Sequence, residues 1–454
     1  HNAHDSSVKE DWNKCDPVRH LGLFHFACCR PSISIIVIFS TSCWYAEEGY
    51  AVKTREQLSH RIEFLDVLRG VALFGILVVN VFSFGADIPA WSSGADQIAW
   101  HLKHFFFETK FWALFSLLFG MGFYLQTQAA GYRVVRLLRR MAALMLFGCL
   151  HALFFEGDIL MLYAELGIIL LLIYRFSNRA LIALAVLLCL SFPAGHLWGG
   201  DRDDDWPVED PIAALDWLAE ERLESPLVEA DLSGVMKYHA QFIPERFWVD
   251  WQYPDSGFLV LAYFIFGFVF MRSGWHRLQS LSTTLLLRSV ALLWVFGTAL
   301  MLLERYFNAA LGYSVFDRSQ ESNSVIALGD VTYLIATGAL TSAWFLTVWL
   351  WVKVDIWPAL RRRCANLGTI SLSVYLSQTA IMMGVFHGYG LGAAFQWGPA
   401  RVVVLACVVF LCQIFAAEWW CRRFSVGPIE WVWRCLTDWR WYPFATSRRK
   451  YKGG

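Results

Sequence analysis

The chain has 454 residues, 57% of them hydrophobic and only 17% charged, with no formal net charge. Its mean hydropathy is +0.43. A balance of this kind offers neither the basic surface that nucleic acid requires nor a polybasic patch for a membrane surface.

The first residues stand apart from the rest. The apolar run from Ile33 to Phe39 is too short to cross a bilayer. It reads either as the apolar region of a signal peptide or as part of a poorly ordered extension, and residues 1–57 are expected to be the extension.

From about Leu65 to about Cys421 the chain carries roughly ten windows long enough to span, since a hydrocarbon core of ~30 Å needs about 20 mostly apolar residues. Soluble domains do not carry so many. The segments are 65–84, 111–129, 141–155, 159–174, 180–198, 256–271, 284–303, 325–352, 367–387 and 399–420. The expected fold is therefore all-α, a polytopic transmembrane helical bundle of about ten spans over residues 58–440, embedded in a lipid bilayer. Twenty-three Trp residues suit interfacial belts at its two faces.

Loop charge sets the expected orientation. Alternate loops hold Lys53, Arg55 and Arg61; Arg133, Arg136, Arg139 and Arg140; Arg272 and Arg277; Arg361 to Arg363; and Arg422 with Arg423. The other loops are poor in bases. The longest, 199–255, opens with Asp201, Asp203, Asp204 and Asp205. Positive-inside bias puts both termini and a tail, 441–454, in the cytoplasm and the 199–255 loop outside. Eleven cysteines are present, none in that loop, and no CxxC or CxxH spacing occurs. Neither disulfides nor a metal site is expected.

Chemistry in such a chain is sought where polar residues interrupt apolar spans. In the first span Asp66 and Arg69 lie three apart and can pair on one helix face. Asn80 follows three turns later on the same stripe. In the second span Ser116 and Gly120 form a small-xxx-small step suited to close helix packing, and Lys110 is expected at the outer interface.

The third and fourth spans form a hairpin turning near Gly157. His151 lies below the turn on one arm, and Asp158 and Glu165, seven apart, share a face of the other. One imidazole with two carboxylates at similar depth is a proton-handling set, because a carboxylate orients the ring and stabilises its charged form. A hydrogen-bond network that locks the hairpin would look the same. In the ninth span Ser371, Tyr375 and Gln378 make a polar face at i, i+4, i+7, which either lines a cavity or joins two helices. After the last span Glu430 and Arg434 are an i,i+4 pair on an interfacial helix that docks at the cytoplasmic mouth. No phosphate loop, nucleophile elbow, HExxH or dinucleotide fingerprint is found.

Four stretches resemble the YeiB family of bacterial membrane proteins: Arg61 to Gly70 with Asn80 following, Lys110 to Gly120, His151 to Ala164, and Gly427 to Arg434. The resemblance covers about residues 58 to 440. It implies kinship with transmembrane acyltransferases of about ten helices, among them the bacterial type that O-acetylates surface sugars and the lysosomal heparan glucosaminide acetyltransferase. Those relatives take an acyl-CoA from the cytoplasm and serve an acceptor, a glycan or small molecule, across the membrane. The implied location is the inner membrane of a bacterium.

The resemblance also marks a departure. The O-acetylating type has an Arg and a His in its first helix, where Arg69 and Asn80 stand here. The heparan enzyme is similar in placing Asn there, but its catalytic His follows soon after, and Val81 to Ala99 contains no His. His151 is the substitute read from the hairpin. The expected roles are then a base at His151, oriented by Asp158 or Glu165, with an oxyanion donor at Asn80. Arg69 with Asp66, assisted by Arg140, would hold the cofactor, and Ser371, Tyr375, Gln378 and Glu430 complete the binding surface. The competing expectation is a transporter that moves a small solute or protons along the same residues. A scaffold without chemistry is the third.

Overall fold

The computed structural model describes residues 47–84, 86, 93–129, 133–197, 228, 231–252, 257–310 and 323–444. Every regular element among them is helical. The acidic residues 201–205, positions 1–46 of the expected extension and most of the tail lie outside the described residues. Two compact units divide the chain, 1–54 and 55–454. The second contains every long apolar stretch of the described residues.

In chain order the elements are α1 (Glu47–Asn80), a 3₁₀ turn (Val81–Phe84), α2 (Gly94–Leu102), a π turn (Lys103–Phe107), α3 (Lys110–Thr127), α4 (Val134–Ala152), α5 (Leu160–Ile173) and α6 (Asn178–Leu197). Then come α7 (Leu232–Gln252), α8 (Gly257–Val269), a second π turn (Phe270–Gly274), α9 (Trp275–Ser280), α10 (Thr283–Ala310) and α11 (Asn323–Val354). The last are α12 (Pro358–Thr369), α13 (Ser371–Phe386), α14 (Pro399–Arg423) and α15 (Pro428–Asp438).

All ten apolar segments fall on helices, but they are not ten equal spans. Among the described residues five stretches are long and apolar enough to cross a membrane alone: Glu63–Phe84, Gly257–Ser280, Thr283–Tyr306, Ala327–Val354 and Pro399–Arg423. The pair α12 and α13 adds a sixth only if taken together, because it bends by 84°. Leu160–Ile173 and Asn178–Ala194 are apolar but short. The opening Lys110 of α3 and the Arg136, Arg139 and Arg140 of α4 make those helices too polar to qualify alone.

Burial sorts these helices. The span in α1 is 67% buried and that in α10 only 22%. Phe64, Leu65, Val67 and Leu68 are enclosed on the inner run of α1, so it forms the centre of the bundle. Leu292 and Val295 of α10 are 68% and 70% exposed, the apolar surface a membrane protein offers to lipid. Close crossings hold the centre. At Gly120 of α3 a side chain would strike the Phe264 carbonyl of α8, and at Gly368 of α12 it would strike Asp66 of α1. Only glycine admits backbones this near.

Three expectations change. Lys110 is not interfacial: it is fully enclosed by protein. The 199–255 segment is not wholly loop, since α7 lies within it and packs on α4. The ninth span is not one helix but two, meeting at Ile370.

Candidate functional site

The break at Ile370 shapes the site. A helix that starts inside protein leaves backbone amides unpaired. The N-terminal amides of α13 are taken by Glu430 of α15: Leu372 N and Ser373 N donate to Oε1 at 2.7 and 3.1 Å, and the Ser373 hydroxyl donates to Oε2 at 2.5 Å. Glu430 is therefore not spent on Arg434, as its spacing suggested. Arg434 instead stacks over the Tyr442 ring at 4.2 Å. The carboxylate suits its place, because a negative charge is favourable at a helix N-terminus.

Beside this cap lies a cavity of about 380 Å³. Asp66, Arg69, Arg140, Ser371, Tyr375 and Glu430 all line it, so residues from α1, α4, α13 and α15 meet there. Arg69 donates to Asp66 at 2.6 Å, and the pair is 28% and 15% exposed. Arg140 lies 3.8 Å over the Trp433 ring, while Trp433 Nε1 donates to the Arg140 carbonyl at 3.0 Å. Such stacking holds a guanidinium in place without neutralising it.

A second cavity, about 410 Å³, adjoins the first and shares Gln126, Arg140, Glu430 and Trp433 with it. Its wall adds Arg133, Arg136 and Arg434. Arg136 is paired with Asp438 at 2.7 Å. Together the two make a basic vestibule leading to a polar chamber, each within the ~300–1,000 Å³ typical of ligand sites.

His151 ends α4 at the far side of Tyr375, their ring centroids 5.1 Å apart. Both are buried. Asp158 Oδ1 lies 2.7 Å from His151 Nδ1, and Asp158 Oδ2 accepts the Met161 amide at 3.0 Å, capping α5. The Asp158 carbonyl accepts from Arg246 of α7 at 2.6 Å. His151 Nε2 lies 2.8 Å from the Thr379 hydroxyl. The carboxylate selects the Nδ1–H tautomer, so Nε2 accepts from Thr379. Hydroxyl, imidazole and carboxylate thus stand in series, the geometry of a base holding a hydroxyl. Thr379 and His151 open onto a third cavity, an apolar groove of about 550 Å³ between α4 and α13.

Three expected site residues stand elsewhere. Asn80 ends α1 and lines none of these cavities. Glu165 is not a hydrogen-bond partner of His151, whose nitrogens go to Asp158 and Thr379. Gln378 joins helices: its amide donates to Gln413 of α14 at 3.1 Å and to Leu73 of α1 at 3.4 Å. Thr379, Tyr163 and Trp433 were missed. A Thr or Tyr in an apolar span carries no signal of its own, although Trp433 lies in the same stretch as Glu430. Among the described residues no cluster of three or more His, Cys, Asp or Glu could hold a metal.

The family described as "Protein of unknown function (DUF418)" matches residues 270–440. The uncharacterised protein YxaH of Bacillus subtilis (strain 168) is 30% identical over 430 residues, covering 86% of this chain and 98% of that protein. An uncharacterised 39.9 kDa protein from the amylase 3′ region of Bacillus acidopullulyticus is 25% identical over 409 residues, with coverage of 86% and 98%. The uncharacterised protein YeiB of Escherichia coli (strain K12) is 27% identical over 427 residues, with coverage of 82% and 95%. No solved structure matches significantly.

Proposed function

The chain belongs to the DUF418 family of membrane proteins that includes YxaH and YeiB, and within it we propose a transmembrane acyltransferase. The reaction would move an acyl group from an acyl-CoA to a hydroxyl or amine beyond the membrane. One observation carries this reading: a basic vestibule opens into a chamber whose inner wall, Tyr375, packs on a buried His–Asp pair.

The arginine-rich end faces the cytoplasm of a bacterial inner membrane in this reading, as the loop charges favour. The donor set fits an acyl-CoA. Arg133, Arg136, Arg140 and Arg434 offer guanidinium groups for its phosphates. Arg69 stands deeper, at the chamber.

His151 supplies the base. The acceptor oxygen bonds to the acyl carbon, its proton goes to His151 Nε2, and the thioester C–S bond breaks. The proton then passes to the leaving thiolate as free CoA forms. Asp158 holds the ring in the tautomer that keeps Nε2 able to accept. The oxyanion role read for Asn80 falls to the hydroxyl of Tyr375, which lines the chamber.

Titration calorimetry and thermal shift with acetyl-CoA and longer acyl-CoAs test the reading, with Arg69→Ala beside the wild type. Binding by the wild type that is lost in the variant supports a donor site. A folded sample that binds none of them overturns it, and solute flux into proteoliposomes lacking any CoA compound would then favour transport.

A further inference from the structure

The groove between α4 and α13 has two kinds of wall. Phe147 and Leu150 of α4 face Leu376 and Met383 of α13, and the polar groups set among them are His151 and Thr379. Leu150 is 49% exposed and Tyr389, at one end of the groove, 42%. The groove therefore opens on the apolar outer flank of the bundle. In a membrane-spanning chain that flank is bathed by lipid, and an apolar trough open to lipid is filled by hydrocarbon.

Gly384 adds an independent observation. It lies in the last turns of α13 and lines the groove. Glycine in a helix costs about 1 kcal/mol relative to alanine, and a neighbour that leaves no room for a side chain commonly explains its presence. Here a Cβ would meet nothing within 4 Å. The position is open because the groove is open, not because a helix presses on it.

We infer that this groove is a lateral site for one hydrocarbon chain of a membrane lipid, with the lipid's hydroxyl or amine held at the His151–Thr379 edge. The Thr379 hydroxyl, 2.8 Å from Nε2, already marks where such a group sits against the base. Resting on the acyl-transfer reading, the inference makes the acceptor an amphiphile that enters from the bilayer, while the donor enters through the arginine-lined vestibule. The two meet across the Tyr375 ring.

The test uses full-length protein in vesicles of phosphatidylethanolamine and phosphatidylglycerol containing a phosphatidylglycerol with a diazirine on one acyl chain. After illumination, labelled peptides are mapped by mass spectrometry. The expected result is label concentrated on Leu150 and Met383. It should disappear in Gly384→Leu, whose side chain fills the groove without displacing a neighbour. Met383→Trp plugs the groove by a second route, and thermal midpoints of both variants confirm folding. Label spread equally over Leu292 and Val295 of α10, and unmoved in folded variants, would overturn the inference as annular lipid only. Acyl-CoA calorimetry on the same samples separates the two readings: groove labelling without donor binding removes the transferase and leaves the lipid site standing.

Discussion

Two clusters of buried charge face different surroundings. At the arginine-rich end, Asp66, Arg69, Arg140 and Glu430 all line open volume. At the opposite end Lys103 and Lys110 are more completely buried, at 2% and 0% exposure, yet they line none of the three cavities. Glu108 pairs with Lys103 at 3.0 Å and with His104. Lys110 donates to the His104 carbonyl at 2.8 Å and lies 5.3 Å from the Tyr333 ring. The lesson is that burial of charge does not by itself mark a site. Ions that satisfy one another brace a fold, and ions that face space are available to a ligand.

The sharpest test of that contrast is Glu108→Ala. It takes a carboxylate from the fully buried Lys103, and breaking such a pair costs about 3–5 kcal/mol. The loss should appear in the thermal midpoint and leave acyl-CoA affinity in the surviving folded fraction unchanged. If affinity fell as much as stability, the two clusters would not be separable. The same carboxylate predicts a pH dependence. Burial alone would raise the Glu108 pKa, but the His104 hydrogen bond and the Lys103 charge outweigh it and hold the group at about 2, against an ordinary 4.5. Its contribution to stability is complete above 4.5 and is lost as pH falls through about 2. Acid melts of wild type and Glu108→Gln should converge in that window.

Asp158→Ala comes next, at about 3 kcal/mol, because it removes a charged hydrogen bond and a helix cap together. Activity on any identified acceptor should vanish with it, whereas a merely structural role would let a stabilised double variant recover turnover. Arg69→Ala should change stability by no more than about 1 kcal/mol, its pair being partly exposed, while abolishing donor binding. Smallest is Arg136→Ala. Arg136 is 53% exposed beside Asp438, so the midpoint should scarcely move, with donor affinity weakened and more salt-sensitive.

Much of the bundle is legible in apolar run length, which locates every helix the chamber needs. The Asp66–Arg69 pairing and the His151–Asp158 contact follow from helical spacing and a tight turn. Other features are written in tertiary contacts alone. The bend at Ile370 has no proline to announce it, and its compensation comes from Glu430, 58 residues from Leu372. The polar face at Ser371, Tyr375 and Gln378 divides between cavity and helix junction because Gln413 lies opposite only Gln378. Lys110 reads as interfacial until α11 is seen to bring Tyr333 over it.

That distant cap has a consequence for biogenesis. The amides opening α13 gain their carboxylate only when α15 has been made, so the chamber stays unfinished until nearly the whole chain has left the ribosome. A nascent chain stalled after α14 would hold every membrane helix yet present α13 with a frayed start and no floor. Synthesis order thereby delays ligand competence to the final step of insertion, and release of the C-terminus becomes the event that closes the vestibule.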